Sequence, residues 1–235
     1  LLMQNYPNDK YKWLLNVGHM TLGQHPENVP EEYLIPFPNF DIESSNFTQF
    51  NEISMNVGVS EMGLSGGVCV DDFNKDGFLD IFATSYGMSD QCRLFLNDKK
   101  GLFREATKES NLSGIVSGLN CIHADYDNDG WIDIFILRGA WLGQGGMHPN
   151  SLLKNLGNGK FTDVTRSAGL LSYHPTQTAV WRDFNNDGFL DLFIGNESTP
   201  DNSHPCELFE NNGDGTFTEK SEAYGLGNIN LFVKG

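Results

Sequence analysis

Oxygen-bearing side chains recur at alternate positions in three nine-residue stretches of this 235-residue chain. The fullest is Asp125-Tyr126-Asp127-Asn128-Asp129-Gly130-Trp131-Ile132-Asp133, with carboxylates at positions 1, 3, 5 and 9 and glycine at position 6. The other two run from Asp72 to Asp80 and from Asp183 to Asp191, with asparagine at position 3. Side chains spaced in this way can curl around one hard cation. Calcium takes six to eight oxygens, and a glycine permits the sharp turn that folds such a loop back. The candidate ligands are Asp72, Asn74, Asp76 and Asp80 in the first loop and Asp125, Asp127, Asp129 and Asp133 in the second. In the third they are Asp183, Asn185, Asp187 and Asp191. Position 7 would add a backbone carbonyl, from Phe78, Trp131 and Phe189, with the rings turned into a sheet. The expected cofactor is Ca²⁺, about three per chain.

The opening of each stretch also fits an EF-hand, which needs a bidentate glutamate at position 12 and a helix on either side. Position 12 is Ala83, Ile136 or Ile194. The runs that follow the loops are Ile81-Phe82-Ala83, Ile134-Phe135-Ile136 and Leu192-Phe193-Ile194. They are short, apolar, and rich in β-branched and aromatic residues, so they read as strands. The plainer alternative is an Asx turn without metal. Turn propensity asks for polar residues, however, and does not explain acid at positions 1, 5 and 9 in all three copies.

The elements that position these loops repeat with them. After each loop comes an asparagine, a glycine turn and a phenylalanine: Asn97-Gly101-Phe103, Asn155-Gly159-Phe161 and Asn211-Gly215-Phe217. Eight residues beyond that phenylalanine stands Asn111-Leu112, Gly169-Leu170 or Gly225-Leu226. Phe50 and Gly58-Val59 are an earlier copy of these last features. From the branched residue to the next loop is 13 residues each time: Val59 to Asp72, Leu112 to Asp125, Leu170 to Asp183. In the middle unit four strand-like pieces are expected: Asn120–Ala124, Ile132–Leu137, Ser151–Asn155 and Lys160–Thr165. Units of about fifty residues with four antiparallel strands predict the blades of an all-β propeller. A parallel β-helix, with much shorter repeats, ranks below. A fourth loop is expected 13 residues after Leu226, beyond Gly235, so the ring is expected to continue past this chain, with about three and a half blades, a leading strand among them, in residues 46–235.

The run D-x-[DN]-x-D-G-x-x-D followed by a strand, then L-F-x-N-x-G-x-G-x-F-T, resembles the FG-GAP/VCBS repeats of integrin-α-type propellers. Trp181 to Gly188 and Leu208 to Thr218 carry the likeness best. The chain is most similar to the cartilage acidic protein group, which also carries an ASPIC/UnbV domain. The resemblance implies a secreted or envelope protein with calcium in the propeller, and it covers about residues 46–235. The first unit departs from the pattern at Lys75, expected to point away from the ion, and at Asp98-Lys99-Lys100-Gly101.

Residues 1–23 differ. Trp13, Leu14, Val17 and Met20 have helical spacing, and Trp13 to Gly23 resembles the end of a tetratricopeptide-type array; a single helix is the alternative. Residues 24–45 hold four of the nine prolines and read as a linker.

The net charge is -16, and the three loops hold ten carboxylates, so much of the acidity is local. Three Ca²⁺ would add six positive charges and bring the total to about -10. No basic stripe exists for nucleic acid, and no apolar run is long enough to cross a bilayer. The start, Leu1-Leu2-Met3, reads as mid-sequence, with a targeting segment removed or left out. Cys69 and Cys121 fall in strand-like runs and are expected as buried thiols, and Cys92 and Cys206 occupy related places in different repeats. Spacing alone gives no disulfide. Asn46, Asn111 and Asn196 begin N-glycosylation sequons.

Strand alternation puts the acidic loops and glycine turns on one face and the remaining loops on the other. That second face collects His148, His174 and His204, each followed by proline, with Glu197 and Asp201 in the loop of His204 and the glycine-rich insert 139–146 beside them. These residues are a candidate second site for a transition metal or ligand; the bland alternative is that His-Pro shapes the loops. His123 is expected to pack beside the middle acidic loop. The leading expectation is a calcium-binding, non-enzymatic extracellular or cell-envelope module that contacts protein or glycan. The alternatives are a metalloenzyme or redox-linked protein using the histidine face, and a structural subunit that assembles through an open sheet edge.

Overall fold

The computed structural model describes residues 9–36, 50–157, 159–226 and 229. Residues 1–8, positions 37–45 of the expected linker and the sequon at Asn46 lie outside them. Two compact units divide at Asn51 and Glu52.

The first unit is built on α1, Asp9–Thr21. Its buried Asn16 donates from Nδ2 to the carbonyls of Lys12 (2.8 Å) and Tyr33 (2.7 Å), and its Oδ1 accepts from the Ile35 amide (3.0 Å). One asparagine thus satisfies three backbone groups and ties the segment around the short 3-10 turn Glu31–Tyr33 to the helix. Residues 24–36, expected as linker, fold back on α1 because of these bonds.

The second unit is mostly β: three four-stranded antiparallel sheets, each a propeller-type blade in sequential strand order. Blade 1 is β1 (Ser65–Asp71), β2 (Asp80–Ser85), β3 (Arg93–Asn97) and β4 (Phe103–Glu105). Blade 2 is β5 (Asn120–Ala124), β6 (Asp133–Leu137), β7 (Ser151–Asn155) and β8 (Phe161–Asp163). Blade 3 is β9 (Thr176–Arg182), β10 (Asp191–Asn196), β11 (Glu207–Asn211) and β12 (Phe217–Glu219). The acidic loops join the first and second strands of each blade, as the apolar runs after them predict. Among the described residues no strand lies between residues 50 and 64, and the expected leading strand falls partly outside them; a one-turn helix, α2, Ser54–Val57, is closed there by Gly58 at φ 84°. Asn111, Gly169 and Gly225 hold the same left-handed position after their blades. A Cβ on Gly58 would sit 2.6 Å from the Phe103 carbonyl oxygen, and one on Gly169 2.9 Å from that of Phe217. The turns at Gly58 and Gly169 therefore abut the fourth strand of the next blade at the repeated phenylalanine, where only a residue at ease with positive φ and close approach fits.

The core lies between the sheets. Alternate side chains of a strand face opposite ways, so the central blade serves two seams. Ile134, Ile136 and Leu153 pack with Phe82, Leu94 and Cys69 of blade 1. Phe135, Leu137 and Leu152 pack with Leu192, Ile194 and Phe209 of blade 3. All five residues of β6 are buried, which explains the unbroken apolar run from Ile134 to Leu137. Phe161 and Phe217, the repeat markers, each close one seam, and full burial of such a ring is worth about 1.5–3 kcal/mol.

Candidate metal centre

Each acidic loop starts from an alternating strand and must reverse within nine residues. All three do so with one backbone. Position 4 is left-handed at Lys75 (φ 55°), Asn128 (φ 57°) and Asn186 (φ 61°), and so is position 6 at Gly77 (φ 90°), Gly130 (φ 87°) and Gly188 (φ 92°). The side chains fold inward against amides of the same loop. Asp72 Oδ2 accepts from Gly77 N at 2.7 Å, Asp125 Oδ2 from Gly130 N at 2.8 Å, and Asp183 Oδ2 from Gly188 N at 3.0 Å. Position 3 accepts from the position-5 amide through Asn74 (3.0 Å), Asp127 (3.3 Å) and Asn185 (3.0 Å). Position 5 accepts from the position-7 amide through Asp76 (3.0 Å), Asp129 (2.9 Å) and Asp187 (2.9 Å).

In the second loop Asp125, Asp127 and Asp133 each bring a carboxylate oxygen within 4.8 Å of the others, the one group of three acidic, histidine or cysteine ligands so placed among the described residues. The loop with aspartate at position 3 is the one that forms it. Asp125 Oδ1 and, in the first loop, Asp80 Oδ2 are buried without a hydrogen-bond partner. Such oxygens are costly unless a cation or proton meets them. Burial, reinforced by the neighbouring carboxylates, pushes Asp133 up to about 7 and Asp80 up to about 6. The donor set is all oxygen and carries three or four acidic groups, which suits a hard divalent cation.

Position 9 has a second task. Asp80, Asp133 and Asp191 are fully buried, and one oxygen of each accepts the amide of the marker asparagine: Asn97 (2.9 Å), Asn155 (2.7 Å) and Asn211 (2.9 Å). The asparagine amide then donates to the position-8 carbonyl of its own loop, at Leu79 (3.2 Å), Ile132 (3.1 Å) and Leu190 (3.0 Å). In blades 2 and 3 it also reaches the preceding loop: Asn155 donates to the Phe73 carbonyl and Asn211 to the Tyr126 carbonyl, both at 2.8 Å. Sequence reasoning treated this asparagine as a marker only; its fixed recurrence before the glycine turn was the signal of its role.

The position-7 rings depart from expectation. A Cβ on Gly157 would lie 3.1 Å from the Trp131 ring, and one on Gly213 3.0 Å from the Phe189 ring. Those rings cover the glycine turn of their own blade instead of entering the sheet, and Phe78 is exposed. Position 4 links neighbouring loops. Lys75 points away from its own loop and places Nζ 4.3 Å from the centre of the Trp131 ring. Asn128 Nδ2 donates to the Gly188 carbonyl at 3.2 Å. Lysines also meet the acidic groups. Lys154 on β7 pairs with Asp127 and lies 3.2 Å from Asp129 Oδ2, and Lys99 lies 3.5 Å from Asp76 Oδ2.

On the opposite face, His174 and His204 come together, Nδ1 to Nδ1 at 2.9 Å. His148 lies elsewhere, in a groove of about 480 Å³ with Met88, Val116, Arg138 and Ser151. Glu197 spends a carboxylate oxygen on the Trp141 amide. The four residues expected as one second site therefore do not converge. Arg138, which the sequence did not single out, is buried here and donates to the Val116 and Pro149 carbonyls (both 3.0 Å) and to Ser151 Oγ (2.8 Å).

Comparison with known proteins agrees with the repeat. The family described as FG-GAP-like repeat matches residues 72–136, 125–194 and 183–232. Cartilage acidic protein 1 of Xenopus tropicalis is 28% identical over 185 residues, which cover 74% of this chain and 27% of that protein. The chain thus spans about a quarter of the length of this curated relative.

Proposed function

Because the chain belongs to the FG-GAP-like repeat family, we propose that it is a calcium-stabilised interaction module of the extracellular space or cell envelope, contacting protein or glycan and not acting as an enzyme. The observation that carries the calcium reading is the shared loop backbone, left-handed at positions 4 and 6 in all three copies, with the Asp125, Asp127 and Asp133 carboxylates converging. Without a cation these groups repel one another. With Ca²⁺ the same residues cross-link the first two strands of a blade, and through the position-9 aspartate and marker asparagine the effect reaches the neighbouring blade. Three loops of one backbone geometry support a count of three ions per chain. Extracellular modules bind calcium at about 10⁻⁴–10⁻³ M, a level such environments supply.

The contact role is supported by the opposite face. Trp141 is 56% exposed with Tyr86 6.2 Å away, and Met147 stands nearby in sequence and 58% exposed. Aromatic side chains of this kind anchor protein and sugar contacts. The metalloenzyme alternative loses support because His174 and His204 gain no third ligand among the described residues. Among those residues no helix is long and apolar enough to cross a membrane.

Thermal unfolding with and without chelator, with metal content measured on the same sample, tests the reading. Near three calcium ions per chain and a melting temperature that drops on chelation and returns with calcium are expected. No calcium and no chelator effect would overturn it, and a stoichiometric transition metal would move attention to the histidine pair.

A further inference from the structure

The seam between blades 1 and 2 holds two thiols that the metal loops leave unused. Alternation along β1 turns Gly67, Cys69 and Asp71 to one side, and alternation along β5 turns Cys121 and His123 to meet them. The approach is close: a Cβ on Gly67 would lie 2.6 Å from the Cys121 amide nitrogen. His123 Nε2 is 3.3 Å from Asp71 Oδ2. Between these two contacts Cys69 and Cys121, both buried, bring their sulfurs to 3.2 Å. A disulfide needs about 2.05 Å, so a shift of roughly 1 Å closes the gap. The other two cysteines lack this relationship; Cys92 bonds through sulfur to the Ser117 carbonyl at 3.1 Å.

We propose that Cys69 and Cys121 form a disulfide that covalently joins the first strands of adjacent blades. The oxidant is a small-molecule disulfide of the glutathione class. Cys69 gives up its proton and attacks one sulfur of that disulfide; the old S–S bond breaks, and the first leaving thiolate takes up a proton. Cys121 then gives up its proton and attacks the Cys69 sulfur of the mixed disulfide, expelling the second thiol. The protein pair loses two electrons and two protons, and the small disulfide gains both. Because the closed seam buries both sulfurs, exchange takes place before the blades dock, and the finished bond is shielded from reductant. The inference does not depend on calcium.

The full chain, folded in a glutathione redox buffer, is denatured in alkylating agent and digested. Labelling of Cys92 and Cys206 alone, with one linked fragment containing Cys69 and Cys121, is the expected result. The Cys92→Ser/Cys206→Ser double variant keeps that link, and reductant added during folding lowers the melting temperature by roughly 5–15 °C. Labelling of all four cysteines would overturn the proposal, as would any other pairing or a native mass that shows a metal ion held by the two thiols. Since the decisive reading is made on the unmodified chain, it stands even where Cys69→Ser or Cys121→Ser fails to fold.

Discussion

Asn211 on β11 donates its side-chain amide to the main-chain carbonyl of Tyr126, 2.8 Å away in the acidic loop of the preceding blade. The same bond joins Asn155 to Phe73. Both asparagines are buried, so truncation strands the carbonyls they serve. Each stranded group costs about 1–3 kcal/mol. Asn155→Ala and Asn211→Ala are therefore expected to lower stability well beyond Asn97→Ala, whose amide, among the described residues, meets only the Leu79 carbonyl of its own blade. Urea unfolding of the three variants checks this, and equal losses would count against an inter-blade role.

Lys154 offers its ammonium to Asp127 and Asp129, two of the oxygen donors the second loop would give a cation. Lysine and calcium compete there. Lys154→Met should tighten calcium binding at that loop several-fold, about 1 kcal/mol on the scale of a partly exposed ion pair. The same change should destabilise the calcium-free chain, where the lysine is the main cation at hand. Calorimetric titration that finds one site tightened and the others unchanged is the expected outcome; three unchanged sites would show that the lysine moves aside at no cost.

The His174–His204 contact sets a pH dependence. At 2.9 Å, one Nδ1 donates and the other accepts, so the pair cannot hold a proton on both atoms. Burial first, and then His174, lowers the pKa of His204. Below the ordinary histidine value of about 6.5 the unfolded chain therefore binds more protons than the folded one. The contribution of His204 is full above that value and is lost as pH falls through it toward the lowered folded value. Melting temperatures at about pH 7.5 and 5.5, either side of the histidine range, should fall more for the native chain than for His204→Gln.

Gly67 sits in β1 at a strand irregularity, with its would-be Cβ 2.5 Å from Asn120 Oδ1 and 2.6 Å from the Cys121 nitrogen. Gly67→Ala should destabilise by about 1–3 kcal/mol, the cost of overpacking, although alanine suits an ordinary strand at least as well. Circular dichroism on heating measures the loss. An unchanged melting point would mean that β1 and β5 can separate freely.

Much of this architecture was legible in the sequence because its signals are local. The acidic stretch with its glycine fixes a turn, and the apolar run after it fixes a strand, so β6 begins within a residue of its expected start, and β5 and β7 fall on the expected residues. The helical spacing of Trp13, Leu14, Val17 and Met20 likewise falls within α1. What stayed hidden depends on contacts between blades. Nothing in the spacing of Lys154 says that its side chain reaches back to Asp127. The rings at position 7 looked like core residues because they precede a strand, yet they cover a glycine turn that only the folded hairpin brings near. The three histidines share a following proline, but only His174 and His204 meet and His148 lies apart beside Met88 and Arg138, so a common motif did not make a common site.

The donor carried by each marker asparagine and the acceptor carried by the second residue of each acidic loop form a joint whose two halves lie on every blade. A blade copied or lost by recombination would bring with it one matching half for each neighbour. Such a chain can change its number of repeats over evolutionary time without inventing a new joint, and selection is left free to alter the loops of the other face.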